Sequence, residues 1–165
     1  MRPEIRPATA SDLREMMVLV RELAEYERLS HAVIATEASF EAALFGARPT
    51  AEALVALVNG EMVGYAIYFQ NFSTFVGRAG IYLEDLYVRP ERRGGGIGKG
   101  LLSRVAQVAV ERQCKRLEWA VLDWNEPSIQ FYKSLGAEPL EEWTIYRMAP
   151  TAIAQLAQWS DSKEA

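Results

Sequence analysis

The run IYLEDLYV, Ile81 to Val88, passes directly into RPERRGGGIGKG and then into a segment whose Ile97, Leu101, Leu102, Val105, Val108 and Ala109 recur three and four residues apart. The first is a strand pattern and the last one face of a helix, and Leu117 to Leu122 reads as a second strand. Strand, helix and strand in this order form a right-handed parallel crossover. No other feature limits the fold as much, because a crossover commits the chain to a sheet with a helix laid on it.

Upstream, ALVALV and MVGYAIYF flank Asn59-Gly60, the strongest short-range signal for a tight antiparallel hairpin. A short strand is expected at Glu4–Arg6. Thr9 and Asp12 make a capping-box pattern ahead of a helix that carries Leu13, Met16, Met17, Val20, Leu23 and Ala24. A second helix is expected from Thr36 to Gly46. Downstream, Asn125 can cap a helix with Pro127 in its first turn, closed by Gly136. Trp143–Met148 reads as a final strand and Pro150–Trp159 as a last helix. The order gives a mixed α/β (α+β) fold with an antiparallel first half.

With 165 residues, half of them apolar, the chain can fill the core of one domain spanning residues 1–165. The lone Cys114 excludes an intramolecular disulfide. MRPEIRPATASD lacks the apolar stretch of a signal peptide, and no segment approaches the roughly 18 consecutive apolar residues of a membrane span. A net charge of −4 argues against a nucleic-acid partner. The expectation is a cytoplasmic protein with no membrane and no nucleic-acid partner.

The glycine run sorts against known phosphate cradles. A Walker A loop would need Gly at Arg93 and Ser or Thr at Gly100. The dinucleotide fingerprint would need Gly at Lys99 or Leu101. What remains is Arg93-x-x-Gly96-x-Gly98 between a strand end and a helix start. Free N–H groups and the positive end of the helix dipole converge there, which suits a pyrophosphate. Arg92, Arg93 and Lys99 add positive charge.

This pattern resembles R/Q-x-x-G-x-G/A, the acetyl-CoA motif of the GNAT superfamily of N-acetyltransferases. IRPATASD, RELAEYE, YLEDLYV, RGGGIGKG and WNEPSIQFYKSLGA are similar to the spermidine/spermine N-acetyltransferase branch, which includes the thialysine N-acetyltransferases. The resemblance implies a GNAT fold with a βαβ acetyl-CoA-binding unit, and acetyl-CoA as cosubstrate without a metal. It implies that main-chain groups of Leu86, Tyr87 and Val88 meet the pantetheine arm. Arg93, Gly94, Gly95, Gly96, Ile97, Gly98 and Lys99 would hold the pyrophosphate, and Asn125, Glu126, Pro127 and Ser128 would line the cofactor's other side. Homodimers are the rule in this branch, and a homodimer is expected here.

Acetyl transfer to an amine needs the amine deprotonated and the departing thiolate protonated. Tyr132 lies two helical turns after Asn125 on the same face. A phenol of pKa about 10 can protonate a thiolate whose acid has a pKa near 8.5 at little cost. From the residues alone, Tyr132 is either such an acid or a packing residue beside Phe131; the resemblance implies the acid. Glu84 and Asp85 interrupt an apolar strand, and their side chains take opposite faces unless a bulge intervenes. The resemblance places an amine-site acid at Glu84, where it would hold the ammonium or accept its proton through water. Asp85 reads equally as a structural acid or a substrate contact. Tyr26 and Glu27 match the family's other substrate contacts, whereas Glu22 and Glu25 read as a solvated helix end. Together these acids would suit a small cationic primary amine. Polyamine-specific members place another carboxylate in the segment before YLED. Here that segment, QNFSTFVGRAG, has none, and FSTF is similar to the thialysine type. A lysine-like amine or a diamine is therefore favoured over a polyamine.

Two other readings stay open: acetylation of a protein or peptide, and a non-enzymatic acetyl-CoA sensor. Other chemistries find little support. His31 is the only histidine, no nucleophile-elbow motif accompanies it, and it reads as a surface residue. Cys114 on a packed helix reads as inert, and no metal-ligand cluster has useful spacing. Tyr65, Tyr68, Phe69, Phe72 and Phe75 read as strand and core filling.

Overall fold

The computed structural model describes residues 3–159, and the chain falls into two compact units, Met1–Leu122 and Asp123–Ala165. The first unit holds β1 Glu4–Pro7, α1 Leu13–Tyr26, α2 Glu37–Phe45, β2 Glu52–Val58, β3 Glu61–Ser73, β4 Arg78–Val88, α3 Ile97–Glu111 and β5 Leu117–Glu118. Its five strands lie in sequence order, β1 to β4 antiparallel and β5 parallel to β4. The meander and the parallel crossover are both present.

Local chemistry accounts for most of these boundaries. Asn59 and Gly60 take φ of 54° and 80° between β2 and β3, as a two-residue hairpin turn demands. Ahead of α1, the Thr9 N–H and hydroxyl both donate to Asp12 Oδ2, and Arg6 clamps the same carboxylate at 2.7 and 2.9 Å. The Arg6 hydrogen bonds hold the Asp12 carboxyl down at about 2. Thr36 caps α2 through a reciprocal pair with Ser39. Gly46 ends α2 in extended backbone; a Cβ there would sit 2.4 Å from the Ala42 carbonyl oxygen, so glycine is needed for room and not for a positive φ.

On one face of the sheet, Val55, Tyr65, Ile67 and Tyr87 pack with Leu13, Met16 and Leu19 of α1 and Leu44 of α2. On the other face, α3 lies against β1 to β4 and buries Ile97, Leu101, Leu102, Val105, Val108 and Ala109, the stripe read from the sequence. Arg112 at the end of α3 forks onto Glu52 of β2 at 2.6 and 2.7 Å.

The second unit contains α4 Glu126–Ser134 and α5 Pro150–Leu156. Asn125 Oδ1 accepts from the Ser128 N–H, and Gly136 closes α4 with φ of 88°. The expected strand Trp143–Met148 is not one: the segment is irregular, and Trp143 and Tyr146 are exposed. Strand-forming side chains do not make a ladder without a neighbour, and among the described residues this segment pairs with none. The expected strand Leu117–Leu122 shortens to Leu117–Glu118 because only these residues pair with Ile81 and Tyr82. Phe72 and Phe75 are exposed, not core. They lie where β3 and β4 run into their turn, beyond the reach of the packed helices.

Candidate active site

Pairing between β3 and β4 slips at one point. Ile67 is opposite Asp85, but Tyr68 is opposite Leu83, which leaves Glu84 as the extra residue of a bulge. The strict alternation of side chains is broken there, and Glu84 and Asp85 need not oppose each other. Glu84 is exposed and Asp85 half-buried.

Asp85 accepts a hydrogen bond from the Tyr65 hydroxyl at 3.2 Å. Burial pushes the Asp85 carboxyl up to about 6, helped by the charges of Glu84 and Glu27 and opposed by the Tyr65 hydrogen bond. Glu27, which follows the last turn of α1, is likewise raised by burial. Tyr65 itself is driven well above the usual phenol range, by burial first and the Asp85 charge second. Asp85 thus feels the charges of the two other acids expected at an amine site, Glu84 and Glu27.

Beyond the bulge, β4 has a strand neighbour on one side only. The β5 pairing covers Ile81 and Tyr82, so the main chain from Leu83 to Val88 has no strand partner on that edge among the described residues. Leu86, Tyr87 and Val88 lie on this stretch. An unpaired edge can hydrogen-bond an extended ligand as it would another strand.

After β4 the chain makes a short turn at Pro90–Arg92 and enters the glycine run. Gly94 and Gly96 take φ of 79° and 82°, and a Cβ on either would meet nothing within 4 Å. Gly96 is the N-cap of α3 and brings no side-chain cap. The amides of Ile97, Gly98 and Lys99 therefore open the helix, an arrangement suited to phosphate oxygens. Gly95 and Lys99 are exposed beside them. The cradle suits a pyrophosphate in donor chemistry and dipole.

Arg93 turns back toward α1 and the end of β4. Its Nε donates to the Val88 carbonyl at 2.8 Å, and its guanidinium carbon stands 4.8 Å from the Tyr26 ring centroid and 5.7 Å from that of Tyr87. The expected substrate contact Tyr26 and the expected cofactor contact Arg93 are thereby stacked together. Glu22, read as a solvated acid, is instead fully engaged: it takes Arg89 at 3.0 Å and the Tyr87 hydroxyl at 3.2 Å. Arg89 also reaches Glu61 and the Met62 carbonyl, so α1, β3 and the end of β4 are tied at one point. Burial raises the Tyr87 phenol to about 12, with the Glu22 charge adding to it.

In the second unit, Asn125 is buried as the cap of α4, with Glu126 and Pro127 exposed and Ser128 half-buried in its first turn. Tyr132 is half-buried, its ring 5.3 Å from that of Phe131. His31 is exposed in a short turn after α1. The sequence reading overlooked Tyr65 as a polar partner. Its signal was available: a hydroxyl inside an apolar strand needs an acceptor, and Asp85 is the carboxylate of the neighbouring strand.

The sequence profile of the Acetyltransferase (GNAT) family matches residues 15–137. The chain is 43% identical over 164 residues to the thialysine N-epsilon-acetyltransferase of Bos taurus, covering 93% of this chain and 96% of that protein. It is 29% identical to the L-ornithine N5-acetyltransferase NATA1 of Arabidopsis thaliana, over 90% of this chain and 85% of that one. Among solved structures, an integron cassette protein from the mobile metagenome of V. cholerae superposes with a TM-score of 0.79 at 27% identity, covering 96% of this chain and 99% of the other. A profile spanning the bulge, the glycine cradle and α4, together with full-length relatives at this identity, settles the family: the chain belongs to the GNAT acetyltransferases and is an enzyme that uses acetyl-CoA to acetylate an amine.

Proposed function

We propose that the substrate is a small cationic primary amine of the lysine type, such as thialysine, lysine, ornithine or a diamine, and that a polyamine is a poorer substrate. The observation that carries this reading is the grouping of Glu27, Glu84 and Asp85 at the strand bulge, against a Gln70–Gly80 segment with no acid. Three carboxylates suit a single compact ammonium group. A longer polycation would leave its distal charge without a carboxylate in that segment. The activities of the bovine and plant relatives, on thialysine and on ornithine, point the same way.

Acetyl-CoA supplies the activated acetyl group as a thioester. In the proposed arrangement, Gly94 to Lys99 hold its pyrophosphate, Leu86 to Val88 bond its extended arm, and Asn125 to Ser128 line its other side. Tyr26 and Glu27 seat the amine. Glu84 holds the ammonium or takes its proton through water, and Tyr132 gives a proton to the departing sulfur. Transfer is direct, with both substrates bound together. The family profile runs across both compact units, which supports a single catalytic domain over residues 1–165. A cytoplasmic homodimer completes the proposal.

Acetyl-CoA-dependent thiol release across thialysine, lysine, ornithine, diamines, spermidine, aminoglycosides and short peptides tests it. The expected leader in kcat/KM is a lysine-type amine. A peptide in first place would move the assignment to protein acetylation. Binding of acetyl-CoA without turnover of any amine would point to a sensor.

A further inference from the structure

The α1 face of the sheet carries a polar pair, Tyr65 and Asp85, whose hydroxyl the proposed chemistry leaves without a task. Tyr65 is fully buried, packed among Leu13, Met16, Leu19 and Met62. Phenylalanine would fill that space without needing a partner. The hydroxyl nevertheless reaches out of this apolar setting to Asp85 Oδ2. Its ring lies 6.2 Å from that of Tyr87, tilted by 47°, and Tyr87 is itself held by Glu22. The donor is fixed from two sides, and one oxygen of Asp85 is fixed with it.

We propose that Tyr65 is a positioning residue for amine acetylation: its hydroxyl holds Asp85 Oδ2, so that Oδ1 is left to take the proton of the incoming ammonium. The inference rests on the amine reading above and assigns to Asp85 the proton acceptance that reading left with Glu84, which keeps the ammonium in place. The ammonium gives one proton to the Asp85 carboxylate and becomes a neutral amine. The nitrogen lone pair then forms the C–N bond as the acetyl carbon loses its bond to sulfur. Tyr132 protonates the departing sulfur, the nitrogen sheds its second proton to water on becoming an amide, and the Tyr132 phenolate takes a proton back from water. Asp85 returns its own proton to solvent after the product leaves.

The electrostatic setting supports this role. Asp85 is faced by Tyr65 from β3, by Glu84 and Tyr87 on its own strand, and by Glu27 from the end of α1. Farther out, Arg93 stands over Tyr26 and Tyr87, and Glu22 bonds Tyr87. Burial and the two acids lift Asp85 from 3.8 to about 6, while Tyr65 pulls it back. A carboxylate about two units more basic than usual binds a proton about a hundredfold better and is still ionised at neutral pH. Without the Tyr65 bond it would rise further and begin to be protonated where the enzyme works.

Two variants with opposite expectations test the proposal. Tyr65→Phe removes the bond that favours the carboxylate, so the acid limb of kcat/KM against pH should move up by about one unit, the scale of one hydrogen bond to a charged group. At high pH the variant should regain activity, because Asp85 is then ionised anyway. Glu27→Gln removes a repelling charge, so the same limb should move down, whatever happens to KM. Carbon-13 NMR titration of the Asp85 carboxyl in wild type and both variants, without substrates, should show the same two displacements. A limb that stays in place in Tyr65→Phe while wild type acetylates the amine panel would overturn the role of Tyr65. So would an Asp85 carboxyl that titrates as an ordinary aspartate. If no amine in the panel is acetylated, the amine reading fails, and the NMR titration still decides whether Tyr65 governs Asp85. If Tyr65→Phe does not fold, an unmoved limb and carboxyl titration in Glu27→Gln overturn the proposal.

Discussion

Gly96 offers a clean separation of folding from ligand binding. Its φ of 82° lies in the left-handed region, and a Cβ there would meet nothing within 4 Å. The cost of Gly96→Ala to the free protein is therefore the backbone term alone, about 1–2 kcal/mol. For a chain of this size that lowers Tm by about 2–8 °C. The bound state should suffer separately. An added methyl group at the mouth of the cradle keeps phosphate oxygens from the amides of Ile97 and Gly98, and a hydrogen bond to a charged group is worth about 1.5–3 kcal/mol. Losing one such bond should raise the Kd for acetyl-CoA by about 10- to 100-fold. Gly77 provides the control: its φ is 65°, a Cβ there also meets nothing within 4 Å, and it lies at the far end of β4. Calorimetric titration with acetyl-CoA and thermal melts of both variants complete the experiment. Gly77→Ala should lose stability and keep its Kd; Gly96→Ala should lose both. Wild-type affinity in Gly96→Ala, or equal weakening in the two variants, would refute the cradle.

Three shorter expectations follow from other parts of the molecule. Tyr132→Phe should lower kcat by roughly 10²- to 10⁴-fold, the usual scale for a general acid, with little change in acetyl-CoA affinity; single-turnover kinetics with near wild-type rates would remove Tyr132 from the chemistry. Glu84→Gln should chiefly impair use of cationic amines, seen as a raised KM or lowered kcat across the panel, and unaltered kinetics with every amine would sink that role. Asp12, depressed from 3.8 to about 2 by Arg6, contributes about 2 kcal/mol at neutral pH. Its folded value lies below its unfolded one, so the contribution is present above pH 3.8 and fades as pH falls toward 2. Urea midpoints of wild type and Asp12→Asn should differ at pH 7, differ less at pH 3 and draw together as pH approaches 2.

What could be read from the sequence was local or periodic. The turn at Asn59-Gly60, the Thr36 cap, the α3 stripe and the glycine run each rest on chemistry within a few residues. The crossover was legible because two strands and a helix follow one another without interruption. Trp143–Met148 failed for the opposite reason: its strand-forming side chains are a local property, but a strand needs a partner that no local rule supplies. Glu22 was misread in the same way, since its partners Tyr87, in β4, and Arg89, just after it, are distant in sequence. The bulge at Glu84 is a register event between two strands, and adjacent acids alone could only raise the question of which face each would take.

The half-paired edge of β4 has a consequence for the protein between catalytic cycles. A stretch of main chain without a strand partner in an apolar strand is a template for any other extended chain, including a second copy of the same sequence. Natural edges are blunted by a bulge or by a charge pointing outward, and this edge has both at one residue, Glu84. Replacing that acid therefore does more than alter chemistry. It removes the electrostatic guard from the open stretch of β4, and a neutral variant kept free of coenzyme should self-associate sooner on storage than the same variant kept saturated with it. Coenzyme supply, on this view, is also a matter of colloidal stability: the ligand proposed for this edge is what would keep the edge from binding something else.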